Sequence, residues 1–223
     1  MNKYKKNDGK QGGKLNNFII IAGLFFIASS LFLLAYSLQK DRELKEINIS
    51  KVENFKKERE KHNKDYLEES DKFSKHTVGD LKNEIASSKE MIGYISIDKV
   101  NVVLPIYNGT YSAILRKGVG VLEDMDTLNG EKGSTTVLAG HRGGYNNKST
   151  FKEIDSLDIE DTFVVGNKSG DMKYKVIGKI VVEPDDWSQL KRIPGKAQII
   201  LLTCHPYPIN NKRLLVIAER VEF

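Results

Sequence analysis

The feature that most constrains this chain is an uncharged apolar run of 21 residues, Phe18–Leu38. As an α-helix it would span about 32 Å, close to the roughly 30 Å hydrocarbon core of a bilayer. Five lysines and one acidic residue precede it, which predicts a basic cytoplasmic tail over 1–17 and a transmembrane anchor over 18–38, with the remainder outside. A cleaved signal peptide is the alternative, because residues 35–37 (Ala-Tyr-Ser) resemble a cleavage site. The run is longer than the roughly 7–15 apolar residues of a signal-peptide core, which favours the anchor.

The net charge of +5 does not indicate a nucleic-acid-binding protein. Residues 1–39 carry a net charge of +4, residues 40–84 carry none, and residues 85–223 carry only +1. A phosphate-binding surface needs basic side chains clustered on the folded domain. We therefore expect no nucleic-acid partner. The single cysteine also excludes a disulfide framework within the chain.

Two regions of different composition follow the apolar run. From 40 to 84, 24 of 45 residues are charged, which predicts a solvated, helical or partly helical stalk over 39–88. Beyond it the chain becomes a series of short β-rich runs separated by turn residues. The predicted strands are 91–97, 102–107, 119–122, 134–140, 161–166, 172–183, 197–204 and 213–221. Two short helical patterns, at 110–118 and 149–157, interrupt the series, so residues 89–223 are predicted to form one all-β barrel or sandwich.

Cys204 is the first candidate for chemistry, because it ends the apolar run IILLTC and precedes the turn-rich segment HPYPINN. A lone cysteine is most often a buried core thiol, and that interpretation remains open at this point. The strand-end position, however, makes the thiol accessible, and an unpaired thiol outside the cell is open to oxidation. A nucleophilic cysteine would need a partner to promote the thiolate.

Two histidines lie in the predicted domain. His141 follows a strand and enters the turn HRGG, whereas His205 adjoins Cys204 in sequence, an arrangement that directs the two side chains apart. His141 is therefore the better partner, with an ordinary surface histidine as the alternative. Arg213 begins the last strand nine residues after Cys204, so an antiparallel return would place it beside the thiol, where a guanidinium can hold an oxyanion. Arg142 is expected to point away, and no Asp or Asn is identifiable as a group that orients the histidine.

Three segments in this order, LAGHRG (138–143), LLTCHPY (201–207) and RLLV (213–216), resemble the sortases, the cysteine transpeptidases of Gram-positive cell surfaces. The resemblance implies an eight-stranded sortase-type β-barrel that needs no cofactor. It implies Cys204 as the nucleophile that cleaves the Thr–Gly bond of an LPXTG-type signal, and His141 as the acid and base. Arg213 would position the substrate and stabilise the oxyanion, and Thr203 would help to line the pocket.

The resemblance also implies partners: LPXTG-type surface proteins or pilins, and an amine acceptor from a peptidoglycan precursor or a pilin lysine. The segment 181–196 and the spacing from Cys204 to Arg213 are similar to class C, the pilin-polymerising sortases. That class typically carries an Asp-Pro-aromatic lid motif before the barrel and a second membrane helix after it. This sequence has no Asp-Pro dipeptide between 40 and 90, and its last strand pattern ends at 221. We therefore expect an unlidded site, and cell-wall anchoring and pilus assembly both remain open.

Two other functions remain open. The chain would be a hydrolase if water rather than an amine resolved the acyl intermediate, and a non-catalytic surface binding domain if Cys204 were structural. The acidic run 183–186 (Glu-Pro-Asp-Asp) suggests calcium, but it lacks the spaced ligands of a calcium loop. We expect a solvated turn there and no metal.

Overall fold

The computed structural model describes residues 11–69, 90–143 and 151–222. The chain divides into two units, Met1–Glu43 and Leu44–Phe223. The predicted stalk from 70 to 88, and the start of the second helical pattern at 149–150, lie outside the described residues.

The first described element is a long helix, α1 (Gln11–Glu69), which includes the predicted anchor and the first part of the predicted stalk. In the apolar run from Phe18 to Leu38, each large apolar side chain is more than half exposed. By length and composition the helix is able to cross a membrane, a property that it shares with N-terminal signal sequences. A lipid environment would solvate these side chains, and the helix satisfies its own backbone hydrogen bonds.

Eight strands in the described part of the chain close into a barrel, in the spatial order β1-β2-β3-β4-β7-β8-β6-β5. They are β1 (Met91–Ile97), β2 (Val102–Asn108), β3 (Val119–Val121), β4 (Thr135–Ala139), β5 (Thr162–Asn167), β6 (Asp171–Val182), β7 (Gln198–His205) and β8 (Lys212–Val221). Each predicted strand is present. The all-β barrel is confirmed, because Val- and Ile-rich runs between turn residues favour strands in a buried sheet.

The two helical patterns have different outcomes. The first contains a short helix, α2 (Ser112–Leu115). The described part of the second holds only a 3-10 turn, Ile154–Ser156. Phe151, Ile154 and Leu157 are fully buried, and their spacing of three residues is the period of a 3-10 helix rather than an α-helix.

The parallel pair β4 and β7 is packed on both faces. All five residues of β4 are buried. Leu138 and Leu201 face the main core inside the barrel, whereas Val137 and Ile200 join a second apolar cluster that includes Leu215. Parallel strands are usually covered on both sides in this way. The pair is therefore a rigid support for the residues at its ends.

The expectation of a fully solvated stalk is wrong for one face of α1. Asn48, Val52 and Phe55 are buried, and the Phe55 ring meets Tyr94 of β1 edge to face, with 6.5 Å between ring centroids. These positions, with Arg59, recur at intervals of three and four residues and so form one helical stripe. The many charged residues around the stripe obscured it, and the second half of α1 docks on the barrel.

Candidate active site

The candidate nucleophile and base follow from the register of two neighbouring parallel strands. β4 pairs with β7 through Ala139 and Leu202, and the backbone N of Gly140 continues the ladder by donating to the Leu202 carbonyl at 3.0 Å. Two steps beyond the Ala139–Leu202 pair, the same register sets His141 beside Cys204. Neighbouring strands lie about 4.8 Å apart, so the two residues are adjacent at one rim of the barrel.

Thr203 strengthens this strand pair from the inside. Its side chain is 2% exposed, and its hydroxyl donates to the Gly140 carbonyl at 2.8 Å. The sequence interpretation gave Thr203 a place in the substrate pocket. In the structure its hydroxyl is instead engaged within the barrel, where it ties the residue before Cys204 to the residue before His141.

Arg213 lies on the other side of Cys204. The two residues are partners in the antiparallel ladder of β7 and β8, as the hairpin interpretation expected. Arg213 Nη1 donates to the carbonyl of Lys212 at 2.9 Å and to that of Asn210 at 3.5 Å. A guanidinium carries five N–H donors in a fixed fork, so this anchored side chain keeps further donors for a ligand at the rim.

The exposure of the central residues suits a reactive site. Cys204 is a free thiol of intermediate exposure, which excludes the alternative of a fully buried core thiol. His141 is exposed, and its carbonyl accepts a hydrogen bond from the Phe151 backbone N at 2.7 Å. Because Phe151 is fully buried, the core fixes the backbone of His141 while its imidazole remains accessible.

Sequence reasoning set aside Arg142 and His205, yet they form a polar cluster next to the site. Arg142 is only 5% exposed, and its Nη2 binds the Asp155 carboxylate. Its Nη1 donates to His205 Nδ1 at 3.2 Å. Arg142 therefore points away from the side of His141, as expected, but into a partly buried contact with Asp155 and His205 rather than into solvent. The sequence did contain a signal for this cluster, because each of the two strands ends in a pair of polar residues, His-Arg and Cys-His.

An aromatic residue that sequence reasoning did not single out lies at the same rim. Gly143, which follows Arg142, has φ +150°, and a Cβ built on it would lie 3.3 Å from the Tyr207 ring. Tyr207 is 53% exposed, and Ile209 in the same β7–β8 loop is 69% exposed. Gly143 after β4 and Tyr207 after β7 thus lie against each other, and the β7–β8 loop presents apolar surface there.

The acidic run 183–186 is exposed and turn-like, as expected. Glu183 pairs with Lys212 at 2.6 Å. Asp186 accepts hydrogen bonds from Ser188, which hold the pKa of that carboxyl below its usual value. These acidic groups are therefore paired with neighbouring side chains and with the turn itself.

Residues 95–221 match the family model for the Sortase domain. This range includes His141, Cys204 and Arg213. The chain is also 29% identical over 154 residues to Sortase D of Bacillus subtilis (strain 168), across 66% of this chain and 74% of that protein.

Two solved structures share the fold. Sortase C1 of GBS Pilus Island 1 matches with a TM-score of 0.59 and 36% identity. The match covers 60% of this chain and 66% of the Sortase C1 chain, just under two thirds of the length of Sortase C1. Sortase A from Corynebacterium diphtheriae, lid mutant, matches with a TM-score of 0.59 and 35% identity, over 63% of this chain and 75% of that one. These relatives carry the letters A, C and D, so the likeness does not single out one class.

Proposed function

The chain belongs to the sortase family, a family of transpeptidases, and we propose that it uses Cys204 to cleave an LPXTG-type sorting signal and passes the acyl group to an amine. The observation that carries the proposal is the strand register at the rim. It brings Cys204 between Arg213 on β8 and the end of β4, where His141 lies. A thiol, an imidazole and a guanidinium in this order supply a nucleophile, a proton carrier and an oxyanion donor.

In the first step, the Cys204 thiol gives its proton to His141 and the sulfur attacks the Thr carbonyl carbon. A C–S bond forms, and the negative charge moves to the carbonyl oxygen. When the tetrahedral intermediate collapses, the C–N bond to Gly breaks and His141 returns the proton to the departing amine. The product is a thioester on Cys204 and a free amino terminus.

The second step reverses the roles. An incoming amine attacks the thioester carbon, and His141 takes the proton that the amine must lose. The C–S bond then breaks, a new amide bond forms, and the proton returns to the sulfur. The exposed position of His141 is consistent with this role, because the leaving and entering amines must both reach the same imidazole from solvent.

Arg213 would hold the substrate in both steps. Its backbone is the cross-strand partner of Cys204, and Nη1 is anchored on the Lys212 carbonyl at 2.9 Å. A planar guanidinium fixed in this way can donate to the substrate carbonyl as charge develops on its oxygen. Such a donor is preorganised, because it does not need to move when the oxyanion forms.

The location follows from the first part of the chain. We propose that residues 18–38 anchor the protein with the N-terminus in the cytoplasm and the barrel outside, since the positive charge precedes the apolar run. LPXTG-bearing surface proteins or pilins would supply the acyl group. A peptidoglycan precursor or a pilin lysine would supply the amine.

The test is cleavage of an LPXTG-type peptide by the full-length chain in detergent, with and without added amines. An oligoglycine represents a cell-wall acceptor, and a lysine-containing pilin peptide represents a pilus acceptor. We expect amide products with one of these amines. Release of the free acid alone, with either amine present, would make the chain a hydrolase.

Two variants test the mechanism. Cys204→Ala should abolish cleavage, and His141→Ala should reduce it by about 10²–10⁴-fold, the usual contribution of a general acid and base. Both variants should unfold at the temperature of the parent chain. Turnover retained by Cys204→Ala would contradict the mechanism. A failure of a folded parent chain to react with a thiol-alkylating probe would favour a non-catalytic binding domain.

A further inference from the structure

The ends of β4 and β7 have two faces. His141 and Cys204 lie on one face, and Arg142 and His205 lie on the other. Side chains alternate along a strand, so Arg142 and His205 project opposite to their neighbours His141 and Cys204. The hydrogen bond of 3.2 Å from Arg142 Nη1 to His205 Nδ1 joins the two strand ends directly. The register of β4 against β7 therefore continues as far as Arg142 and His205. His141 and Cys204 lie one residue earlier on the same two strands.

Asp155 connects this contact to the core. Its carboxylate binds Arg142 Nη2, and it lies in the 3-10 turn Ile154–Ser156. Ile154 and Leu157 on either side of it are fully buried. The Asp155 carbonyl also accepts a hydrogen bond from Lys179 of β6 at 2.9 Å. The backbone of Asp155, whose carboxylate holds Arg142, is therefore itself fixed on both sides.

The chemistry of the contact sets the role of His205. A guanidinium only donates hydrogen bonds, so His205 Nδ1 is the acceptor in this contact. Hydrogen bonds from a charged donor are roughly twice as strong as neutral ones. Because Arg142 is 5% exposed, it depends on Asp155 and His205 to compensate for the loss of water.

We propose that Arg142, Asp155 and His205 form a clamp of positioning residues that sets the distance between the His141 imidazole and the Cys204 thiol, a role that rests on the proposed transpeptidase function. The clamp residues act through the backbone, since each reactive residue is adjacent in sequence to a clamped one. A misplacement of about 1 Å between catalytic groups can lower the rate about 100-fold. The role requires His205 as an acceptor at the δ position rather than as an acid or base.

The first test compares His205→Asn with His205→Leu in the full-length chain. The Asn side-chain oxygen can take the place of Nδ1 and accept from Arg142, whereas Leu cannot. We expect kcat for the LPXTG-type peptide to fall about 100-fold in the Leu variant and less than about fivefold in the Asn variant, with KM unchanged in both. Glu160→Gln is the control, because it removes a carboxylate that is 71% exposed and pairs with Lys175, away from the clamp. Equal losses in the Leu and Asn variants, or a change in KM alone, would overturn the clamp.

The second test needs no substrate. Cys204 is the only cysteine in the chain, so His141→Cys creates a single possible intramolecular disulfide. Cα atoms on adjacent strands, about 5 Å apart, lie within the range that a disulfide accepts. With oxidised glutathione as the oxidant, we expect this variant to close its disulfide, and we expect the addition of Arg142→Gln or His205→Leu to slow closure at least about tenfold.

The two tests separate the two proposals. One outcome is that the parent chain cleaves no sorting signal while His141→Cys closes its disulfide and the added clamp substitutions slow that closure. In that case the transpeptidase proposal fails and the geometric clamp stands. If the His141→Cys variant does not close, or if it closes equally fast without Arg142, the clamp is wrong whatever the parent chain cleaves. Thermal unfolding of each variant identifies any loss that comes from an unfolded barrel.

Discussion

Two arginine–aspartate pairs hold different parts of this molecule. Arg142 and Asp155 are 13 residues apart, and both lie close to the rim that carries Cys204. Arg59 and Asp171 are 112 residues apart and join α1 to the start of β6 at 2.6 Å. The first arginine is 5% exposed and the second 14% exposed. The two contacts have the same chemistry, but the two arginines differ in the second group to which each of them donates a hydrogen bond.

That difference separates the rim from the docked helix. The other side-chain hydrogen bond of Arg142 goes to His205, which follows Cys204 on β7, whereas Arg59 also donates to the Asn167 carbonyl at the end of β5, at 3.2 Å. Phe55 and Val52 pack against Tyr94 on the same side of the barrel. Substitutions near Arg142 should therefore change the rate, and substitutions near Arg59 should change how firmly the second half of α1 holds to the barrel.

Beyond Cys204 and His141, the largest effect is expected at the rim, with Arg213→Ala. Removal of an oxyanion donor lowers kcat by about 10²–10³-fold, and the free energy of unfolding should change by less than about 0.5 kcal/mol because the side chain is partly exposed. Steady-state kinetics on the peptide and chemical denaturation measure the two quantities. Lys212→Ala is the matched control, since its partner Glu183 is an exposed turn residue. A loss below tenfold for Arg213→Ala would remove Arg213 from the oxyanion role.

The placement of Arg213 shows what local sequence can predict. Its pairing with Cys204 follows from a short hairpin, so the chain itself limits where β8 returns. The strands were predictable for a similar reason, because turn residues separate runs of β-branched residues. The proximity of His141 to Cys204 is different. It depends on β4 lying parallel to β7, 63 positions later. Elimination left His141 as the better partner of Cys204, but nothing in the local sequence showed that the two strands are neighbours.

Two features escaped sequence reasoning because they depend on contacts between distant segments. The sequence predicted only that Arg142 points away from the site, because nothing in the neighbouring sequence shows that Asp155 lies within reach of its guanidinium. The buried stripe of α1 was hidden because Val52 and Phe55 are surrounded by charged residues that face solvent. In both cases the tertiary partner, and not the local composition, decides which side of the residue is buried.

The next effect concerns the helix, with Phe55→Ala. Phe55 is 8% exposed, and removal of a buried aromatic ring typically costs about 3 kcal/mol. We expect faster hydrogen exchange in residues 44–69, because the docked half of α1 opens more often. The kcat of the folded chain should remain within about twofold. Glu53→Ala, at an exposed position two residues away, controls for the helix itself. A fall in kcat as large as that of His205→Leu would erase the distinction between the two regions.

A smaller effect is expected for the ion pair itself. Arg59→Met and Asp171→Asn, alone and together, form a double-mutant cycle on the same hydrogen-exchange readout. The coupling free energy should be about 1 kcal/mol, because Asp171 remains 31% exposed and water screens the pair. A coupling near zero would mean that Phe55 and Val52 hold the helix without help from Arg59.

The smallest effect is a pH dependence confined to the docked helix. Burial is the largest single influence on the Asp171 carboxyl and raises its pKa, but hydrogen bonding and charge from Arg59, together with contributions from Tyr94 and Lys56, outweigh burial and hold the pKa below its usual value. A carboxyl whose pKa is lowered by folding stabilises the folded state above its ordinary pKa of about 4, and this contribution is lost as the pH falls through the lowered value.

Exchange in residues 44–69 should therefore be independent of Asp171 ionisation near neutral pH. After correction for intrinsic exchange, protection should weaken below about pH 4, by less than the whole coupling free energy because the carboxyl is partly solvated. In Arg59→Met the pKa of Asp171 loses its main lowering interaction, so the acid-dependent loss should shrink. If Arg59→Met and the parent chain lost protection equally over this range, Arg59 would not be the group that couples Asp171 ionisation to docking, and the ion pair would matter only as one more contact beside Phe55.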